Sequence, residues 1–289
     1  MATVSVDMTG KRVLVTGANS GIGRATARML AEAGAETILV CRSPERGGEA
    51  LSSIRQSSGS QKVSLMLCDI SSQAEIRRLG AEFREKYSSL DVLVNNAGSY
   101  FAEHRRNPEG LELSMGLNHM GYFHMVAELR SILEAAPEGR VVNVSSDGHR
   151  LGRLVWDDLQ WERRSYRAMR AYCDSKLMNI LFTRELARRL EGSGVTANCL
   201  HPGVIRTGFA VNERGSFAGL VRLAGPFMLD PERGARTSAY LASSPEVRGK
   251  TGGYYVRCKL KKPSKAARSD EDAARLWELS EGLREASQA

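Results

Sequence analysis

The chain of 289 residues is 42% hydrophobic and 26% charged, the make-up of a soluble globular protein whose length suits one large α/β domain with a substantial buried core. Its formal charge of +8 comes from the stretch Lys259 to Asp270 and from scattered arginines such as Arg163, Arg164, Arg167 and Arg170; no aromatic-interleaved patch accompanies it, which argues for a solvated face and against a nucleic-acid partner. The first twenty residues lack a basic start followed by an apolar run, and no window holds about 18 uncharged apolar residues, so no secretory leader or transmembrane segment is expected and the chain reads as cytoplasmic.

Short β-branched runs at 12–17, 37–42, 62–70, 91–98, 140–146, 195–203 and 252–256 predict seven strands. Most are apolar on both sides, the pattern of a parallel sheet covered on both faces. Between the first two, Ala25, Ala27, Met29, Leu30 and Ala33 form an apolar helical stripe and Gly34 supplies the stop, completing one βαβ unit by Arg42. No internal repeat, linker or shift in composition divides the chain. The expectation is one doubly wound, Rossmann-type α/β domain over 1–289, with a seven-stranded, mostly parallel sheet flanked by helices, a core at 8–260 and a tail at 261–289 that is basic and then helical.

The first strand-to-helix join reads TGANSGIG, Thr16 to Gly23. A bare turn there lets the backbone approach a phosphate, and the helix N-terminus offers unpaired N–H groups to it. The spacing Gly17-x-x-x-Gly21-x-Gly23 is one residue wider in its first gap than the GxGxxG fingerprint, and a join that binds nothing can use the same glycines. Further along, NNAG (95–98), NVSS (143–146), YCDSK (172–176) and HPGVIRT (201–207) lie at or just beyond the carboxyl ends of strands, the edge at which open α/β sheets hold ligands. Five motifs in this order resemble the short-chain dehydrogenase/reductase family over about residues 10–260. ANSGIGRATA, CRSPERG, HMGYFHM, the stretch 172–203 and ARLWELSEGL resemble its retinol-dehydrogenase-like branch.

The resemblance implies hydride transfer between a nicotinamide and a small or lipophilic carbonyl or alcohol substrate. Tyr172 is then the acid/base, Ser146 rather than Ser145 the residue that holds the substrate oxygen, and Lys176 and Asn118 the supporting groups. It places the cofactor on Gly17, Asn19, Ser20, Gly21, Ile22 and Gly23, on Asp69 and Ile70 at the adenine, on Asn96, Ala97 and Gly98 at the ribose, and on Tyr172, Lys176, Pro202, Ile205 and Thr207 at the nicotinamide. Residue chemistry agrees in part. A tyrosine with an ordinary pKa of about 10 is a poor base at neutral pH, and Lys176, four residues on, shares its helix face and favours tyrosinate, although the same spacing describes any amphipathic helix. Likewise, Asp69 suits a helix cap as well as an adenine contact.

Arg42 at the end of the second strand, where an acid would accept hydrogen bonds from the ribose of NAD, favours NADP instead, with Arg46 as a further contact; a surface arginine is the alternative. The segments 147–171 and 208–229 are candidates for a substrate wall or lid, with Phe209, Phe217, Leu220, Val221, Leu223 and Phe227 suited to an apolar ligand or to packing. The five cysteines are expected to be buried thiols, and the five histidines form no metal-spaced cluster, so no metal is expected. A homo-oligomer, dimer or tetramer, is expected because the helices beginning near Tyr122 and Tyr172 would otherwise expose long apolar faces. Two other readings share these motifs: a protochlorophyllide-reductase-like reductase of a large ring substrate, and a non-catalytic NADP-binding scaffold.

Overall fold

The computed structural model describes residues 6–203 and 230–287. Strands β1 (Arg12–Thr16), β2 (Glu36–Cys41), β3 (Val63–Leu67), β4 (Val92–Asn95), β5 (Arg140–Val144), β6 (Thr196–His201) and β7 (Tyr254–Val256) lie parallel in the order β3-β2-β1-β4-β5-β6-β7. The order turns back at β1, which pairs with β2 on one side and β4 on the other. That switch point opens a crevice at the carboxyl edge.

Strand alternation assigns each side chain to a layer. Leu14, Ile38, Val40 and Leu93 join the core beneath helices α3 (Gln73–Lys86), α5 (Gly121–Glu134) and α6 (Ala168–Arg189). Their neighbours Val13, Val15, Leu39, Cys41, Val92 and Val94 face the opposite core, under α1 (Gly21–Glu32), α2 (Pro44–Ser58) and α7 (Pro231–Ser243). Each such aliphatic contributes roughly 1.5–3 kcal/mol on burial, so both layers are needed to hold the sheet. Helix α1 ends where Gly34 takes φ 93°, and α5 is preceded by a short helix α4 (Leu113–Met115) and one π-helical turn, Gly116–Met120.

Two features differ from the sequence-based expectation. The sheet has an eighth strand, β8 (Lys259–Lys261), antiparallel to β7. Its turn is made by Arg257 and Cys258, both left-handed at φ 51° and 62°, without the Asn-Gly or Asp-Gly pair that marks a two-residue hairpin in a sequence. Its exposed lysines blunt the edge of the sheet.

The second difference concerns α5 and α6. The apolar face of α6, and α5 at Phe123, on which the expectation of a second subunit rested, pack against the chain's own C-terminal helix α8 (Asp270–Ala286). Trp277 stacks on Phe182 at 5.8 Å and meets Phe123 edge-on at 5.0 Å, while buried Ser280 hydrogen-bonds to His119 Nε2 at 2.8 Å. Of the five cysteines, all free, four are buried and Cys258 is partly exposed. Among the described residues no helix is long and apolar enough to cross a membrane.

Candidate active site

The glycine turn is bare for two separate reasons. Gly17, at φ 65°, packs against the loop after β4, and a Cβ on it would lie 2.9 Å from Ala97 Cα. Gly23, in the first turn of α1, is tighter still: a Cβ there would meet the Gly17 carbonyl oxygen at 2.3 Å and Asn96 Nδ2 at 2.4 Å. These two glycines therefore serve the closure of the loops themselves. Thr16 completes the closure, its Oγ1 accepting from the amides of Asn96 at 2.9 Å and Ala97 at 3.0 Å while its carbonyl takes Asn96 Nδ2 at 2.8 Å.

The mouth of α1 is left open. Ser20 precedes it in extended conformation with no side-chain cap, and its first turn holds no acid. By contrast α2, α3, α7 and α8 are capped by Ser43, Ser72, Asp230 and Ser269. Uncapped amides at Gly21, Ile22 and Gly23, beside half-buried Asn19 and exposed Ser20, fit an anionic group such as a pyrophosphate.

At the end of β2, beside the glycine turn, Arg42 is 70% exposed, with Nη1 3.5 Å from Asp69 Oδ2. A pair this long and this exposed holds the guanidinium weakly and leaves it able to turn to a phosphate. Asp69 is fixed by Ser71, whose amide and hydroxyl donate to Oδ1 at 2.9 and 2.7 Å. Ile70 is buried, its carbonyl packed so closely on Gly121 that a Cβ there would lie 2.6 Å away.

On the other side, the π-helical turn presents Asn118 to the loop after β4. Asn118 Oδ1 accepts from the Ser99 amide at 2.8 Å, and Nδ2 donates to the Ser99 carbonyl at 2.9 Å and to Ser175 Oγ at 3.0 Å. Ser175 in turn donates to the Tyr172 carbonyl at 2.7 Å. Exposed Gly98 lies between them, since a Cβ on it would sit 3.0 Å from Asn118 Oδ1 and 3.2 Å from Lys176 Nζ. A side chain at position 98 would close the gap above the lysine.

Helix α6 carries Tyr172 and Lys176 on one face, as the four-residue spacing requires. Ser146 and the Tyr172 ring converge on Gly148, where a Cβ would lie 3.4 Å from Ser146 Oγ and 3.6 Å from Tyr172 Cε1, and Ser146 Oγ accepts from the Gly148 amide at 3.1 Å in the 3₁₀ turn that follows β5. Ser145 is excluded from this role by its own bond: buried, it donates to the Lys176 carbonyl at 2.7 Å. Lys176 Nζ lies 5.6 Å from the centre of the Tyr172 ring and 3.3 Å from the Val144 carbonyl oxygen. Burial pushes this ammonium down to about 7. Burial also holds the Tyr172 phenol above its ordinary value, against the pull of the Ser146 hydroxyl. In the chain alone the lysine is thus the group that titrates near neutrality, and the tyrosine is held protonated.

Pro202 follows β6, half-buried. Ile205 and Thr207, and Phe209, Phe217, Leu220, Val221, Leu223 and Phe227, lie outside the described residues. Three residues of the site escaped the sequence reading. Asn179 Nδ2 and the Tyr122 hydroxyl join Lys176 on the Val144 carbonyl, at 3.2 and 3.4 Å. His149, fully buried, shares a hydrogen with the Ser146 carbonyl at 2.7 Å through Nδ1. Asn179 is three residues beyond Lys176 and Tyr122 four beyond Asn118, spacings that place each on its helix face with a recognised site residue.

The matching family model, short chain dehydrogenase, spans residues 11–216. Human retinol dehydrogenase 13 is 41% identical over 273 residues, covering 93% of this chain and 82% of that protein. Among solved structures, an uncharacterised Mycobacterium paratuberculosis protein superposes with a TM-score of 0.80 at 31% identity, covering 99% of this chain and 97% of that one. The Pseudomonas aeruginosa RhlG/NADP active-site complex superposes at 0.69 with 26% identity, over 86% of this chain and 94% of that one. An open helix mouth at the switch point, a serine–tyrosine pair and a buried lysine on one helix face, and these likenesses agree: the chain belongs to the short-chain dehydrogenase family and, within it, is similar to the retinol dehydrogenases.

Proposed function

We propose that this protein is an NADP(H)-dependent oxidoreductase that interconverts a lipophilic aldehyde or ketone with its alcohol. The observation that carries the reading is the placement of Ser146 and the Tyr172 ring around one point, both within 3.6 Å of where a Cβ on Gly148 would stand, with Lys176 on the same face of α6. Two hydroxyls placed side by side in this way can both reach one substrate oxygen. The nicotinamide, when bound, supplies the hydride in reduction and takes it in oxidation.

In reduction Ser146 holds the carbonyl oxygen, and as charge grows on it the Tyr172 phenol gives up its proton to form the alcohol. Lys176 lies close enough to favour the resulting phenolate and, titrating near neutrality, to return a proton. Asn118 and Ser175 hold the loop after β4 against α6, which keeps Gly98 open over the lysine. In oxidation the same atoms run in reverse, the alcohol proton going to a phenolate at Tyr172.

Preference for NADP rests on Arg42. The end of β2 holds no carboxylate to pair with ribose hydroxyls, and the exposed guanidinium suits a 2′-phosphate; the likeness to RhlG, solved with NADP, supports this. The lipophilic substrate class, retinal-like, is supported by the likeness to retinol dehydrogenases. The test is to follow reduced-nicotinamide absorbance with purified protein, NADPH or NADH, and a panel of retinal, aliphatic and aromatic aldehydes and ketones, with NADPH binding measured separately by fluorescence. NADPH-dependent turnover is expected. Tight NADPH binding with no turnover of any carbonyl or alcohol would replace this reading by that of a non-catalytic scaffold.

A further inference from the structure

Two loops on the carboxyl edge are stitched together away from the cofactor turn. Residues 96–112 join β4 to α4, and residues 152–167 join the turn after Ser146 to α6. His104 Nε2 contacts the Gln160 carbonyl at 2.9 Å, the Glu112 amide donates to Gln160 Oε1 at 2.7 Å, and Arg106 pairs with Glu162 at 2.9 Å. At their junction stands Tyr166. Its hydroxyl lies 3.1 Å from the Phe101 carbonyl oxygen and 3.2 Å from Glu112 Oε1, which share its one proton. Its ring meets His104 at 5.3 Å and Trp161 at 5.8 Å, both edge-on.

Each loop is also anchored to the site. Glu112, buried, spends its two carboxylate oxygens on the Ser114 and Met115 amides at 2.8 and 2.9 Å, tying the first loop to the helix that leads to Asn118. In the second loop Asp158 accepts from the amides of Glu162, Arg163 and Arg164, and the Arg164 guanidinium spans Asp158 and Asp174 of α6 at 3.3 and 3.7 Å, over the Trp161 ring at 3.5 Å. Trp161 itself sits at φ 59°, a conformation that costs a bulky residue about 1–3 kcal/mol and persists only where its surroundings hold it. Next to Phe101, the Tyr100 ring is buried and stands edge-on to the Tyr172 ring, with centroids 6.5 Å apart.

From this geometry we propose that Tyr166 is a positioning residue that makes the two loops one rigid wall of the substrate cleft, setting Tyr100 beside Tyr172 and thereby selecting for extended, conjugated carbonyl substrates over short ones. The inference rests on the active-site reading above. A short aldehyde needs only the Ser146 and Tyr172 hydroxyls, whereas an extended one must lie along the wall that Tyr100 faces. Removing the Tyr166 hydroxyl frees the Phe101 carbonyl while leaving both ring contacts, so the fold is retained.

Tyr166→Phe is expected to raise KM for retinal at least fivefold, with kcat, KM for NADPH and KM for a short aliphatic aldehyde unchanged. Amide hydrogen exchange of residues 99–106, measured without substrate, is expected to quicken in the same variant. Arg106→Ala, which removes the exposed pair with Glu162 and an exposed bond to the Gly110 carbonyl while leaving Tyr166 in place, is expected to leave both readouts as in the wild type. Equal KM rises for retinal and the short aldehyde, or a fall confined to kcat, would overturn the selective role. Unchanged exchange at 99–106 would overturn the joined wall whatever the kinetics. If the wild type reduces no carbonyl at all, the active-site reading fails and the exchange comparison alone decides the wall: faster exchange upholds it, unchanged exchange rejects it.

Discussion

The glycine-turn side of the crevice and the side proposed to receive substrate are built by opposite means. On the first side small residues let backbones approach one another: Gly17, Gly23 and Thr16 close the turn on Asn96 and Ala97 with few side-chain atoms involved. On the second side long side chains bridge loops that are far apart in the chain, as Tyr166 to Phe101 and His104 to Gln160 do. A backbone cradle tolerates almost no change of residue at its tight points but makes the same contacts to any dinucleotide. A side-chain wall can be altered piece by piece, and so is where selectivity for one substrate over another is most easily built.

The largest effect that would sharpen this contrast is at the junction of the two sides. Tyr172→Phe deletes the proton donor and is expected to lower turnover by roughly 10²–10⁴-fold with cofactor affinity unchanged, read by steady-state kinetics and by fluorescence titration of NADPH. Near-normal turnover would remove Tyr172 from the acid/base role.

Next in size is the contact proposed for the Arg42 side chain. Arg42→Ala is expected to weaken NADPH by about one to two orders of magnitude, the value of a charge-assisted pair of roughly 1.5–3 kcal/mol, and NADH hardly at all. Equal losses for both cofactors, or a wild type that prefers NADH, would break the assignment.

The cradle is probed by Gly23→Ala. Its new Cβ would lie 2.3 Å from backbone that has nowhere to move, so thermal unfolding is expected to show a loss of about 1–3 kcal/mol together with weakened binding of NADPH and NADH alike. If stability holds while only one cofactor suffers, the cradle is less rigid than its packing indicates.

The last effect concerns pH. Burial lowers Lys176 in the folded chain from its ordinary 10.5 to about 7, so between those values the unfolded chain binds a proton that the folded chain lacks. Stability of the cofactor-free protein should therefore rise with pH over that window, by at most about 1.4 kcal/mol per pH unit from this group. Below about 7 both states are protonated and the contribution is flat. In Lys176→Met the rise should disappear, which denaturant titrations at pH 7, 8 and 9 would show; an unaltered slope would mean that the lysine is not desolvated.

How far the site could be read in advance follows from the range of the interactions. Tyr172 and Lys176 are four residues apart on one helix, and Gly17 to Gly23 is a single turn, so the local backbone alone brings each set together. Asn118 was legible only by resemblance, because its partners Ser99 and Ser175 lie 19 and 57 residues away. Tyr166 carried no signal at all: one tyrosine in a polar stretch has no periodicity, and its worth depends on a carbonyl 65 residues earlier. The eighth strand was hidden in the same way, since Arg257 and Cys258 adopt left-handed conformations that neither residue type favours alone.

By itself the sequence determined the layers of this protein: period-two and helical runs of apolar residues dictate which faces must be buried, and the glycine turn dictates where a phosphate can approach. Tertiary structure alone decided what covers α5 and α6. Their apolar faces state that something must pack there, and nothing in them distinguishes a second subunit from helix α8 of the same chain. In the fold Trp277 and Ser280 reach Phe182, Phe123 and His119, because hydrophobic burial is non-directional and takes whichever apolar partner the chain can bring within reach.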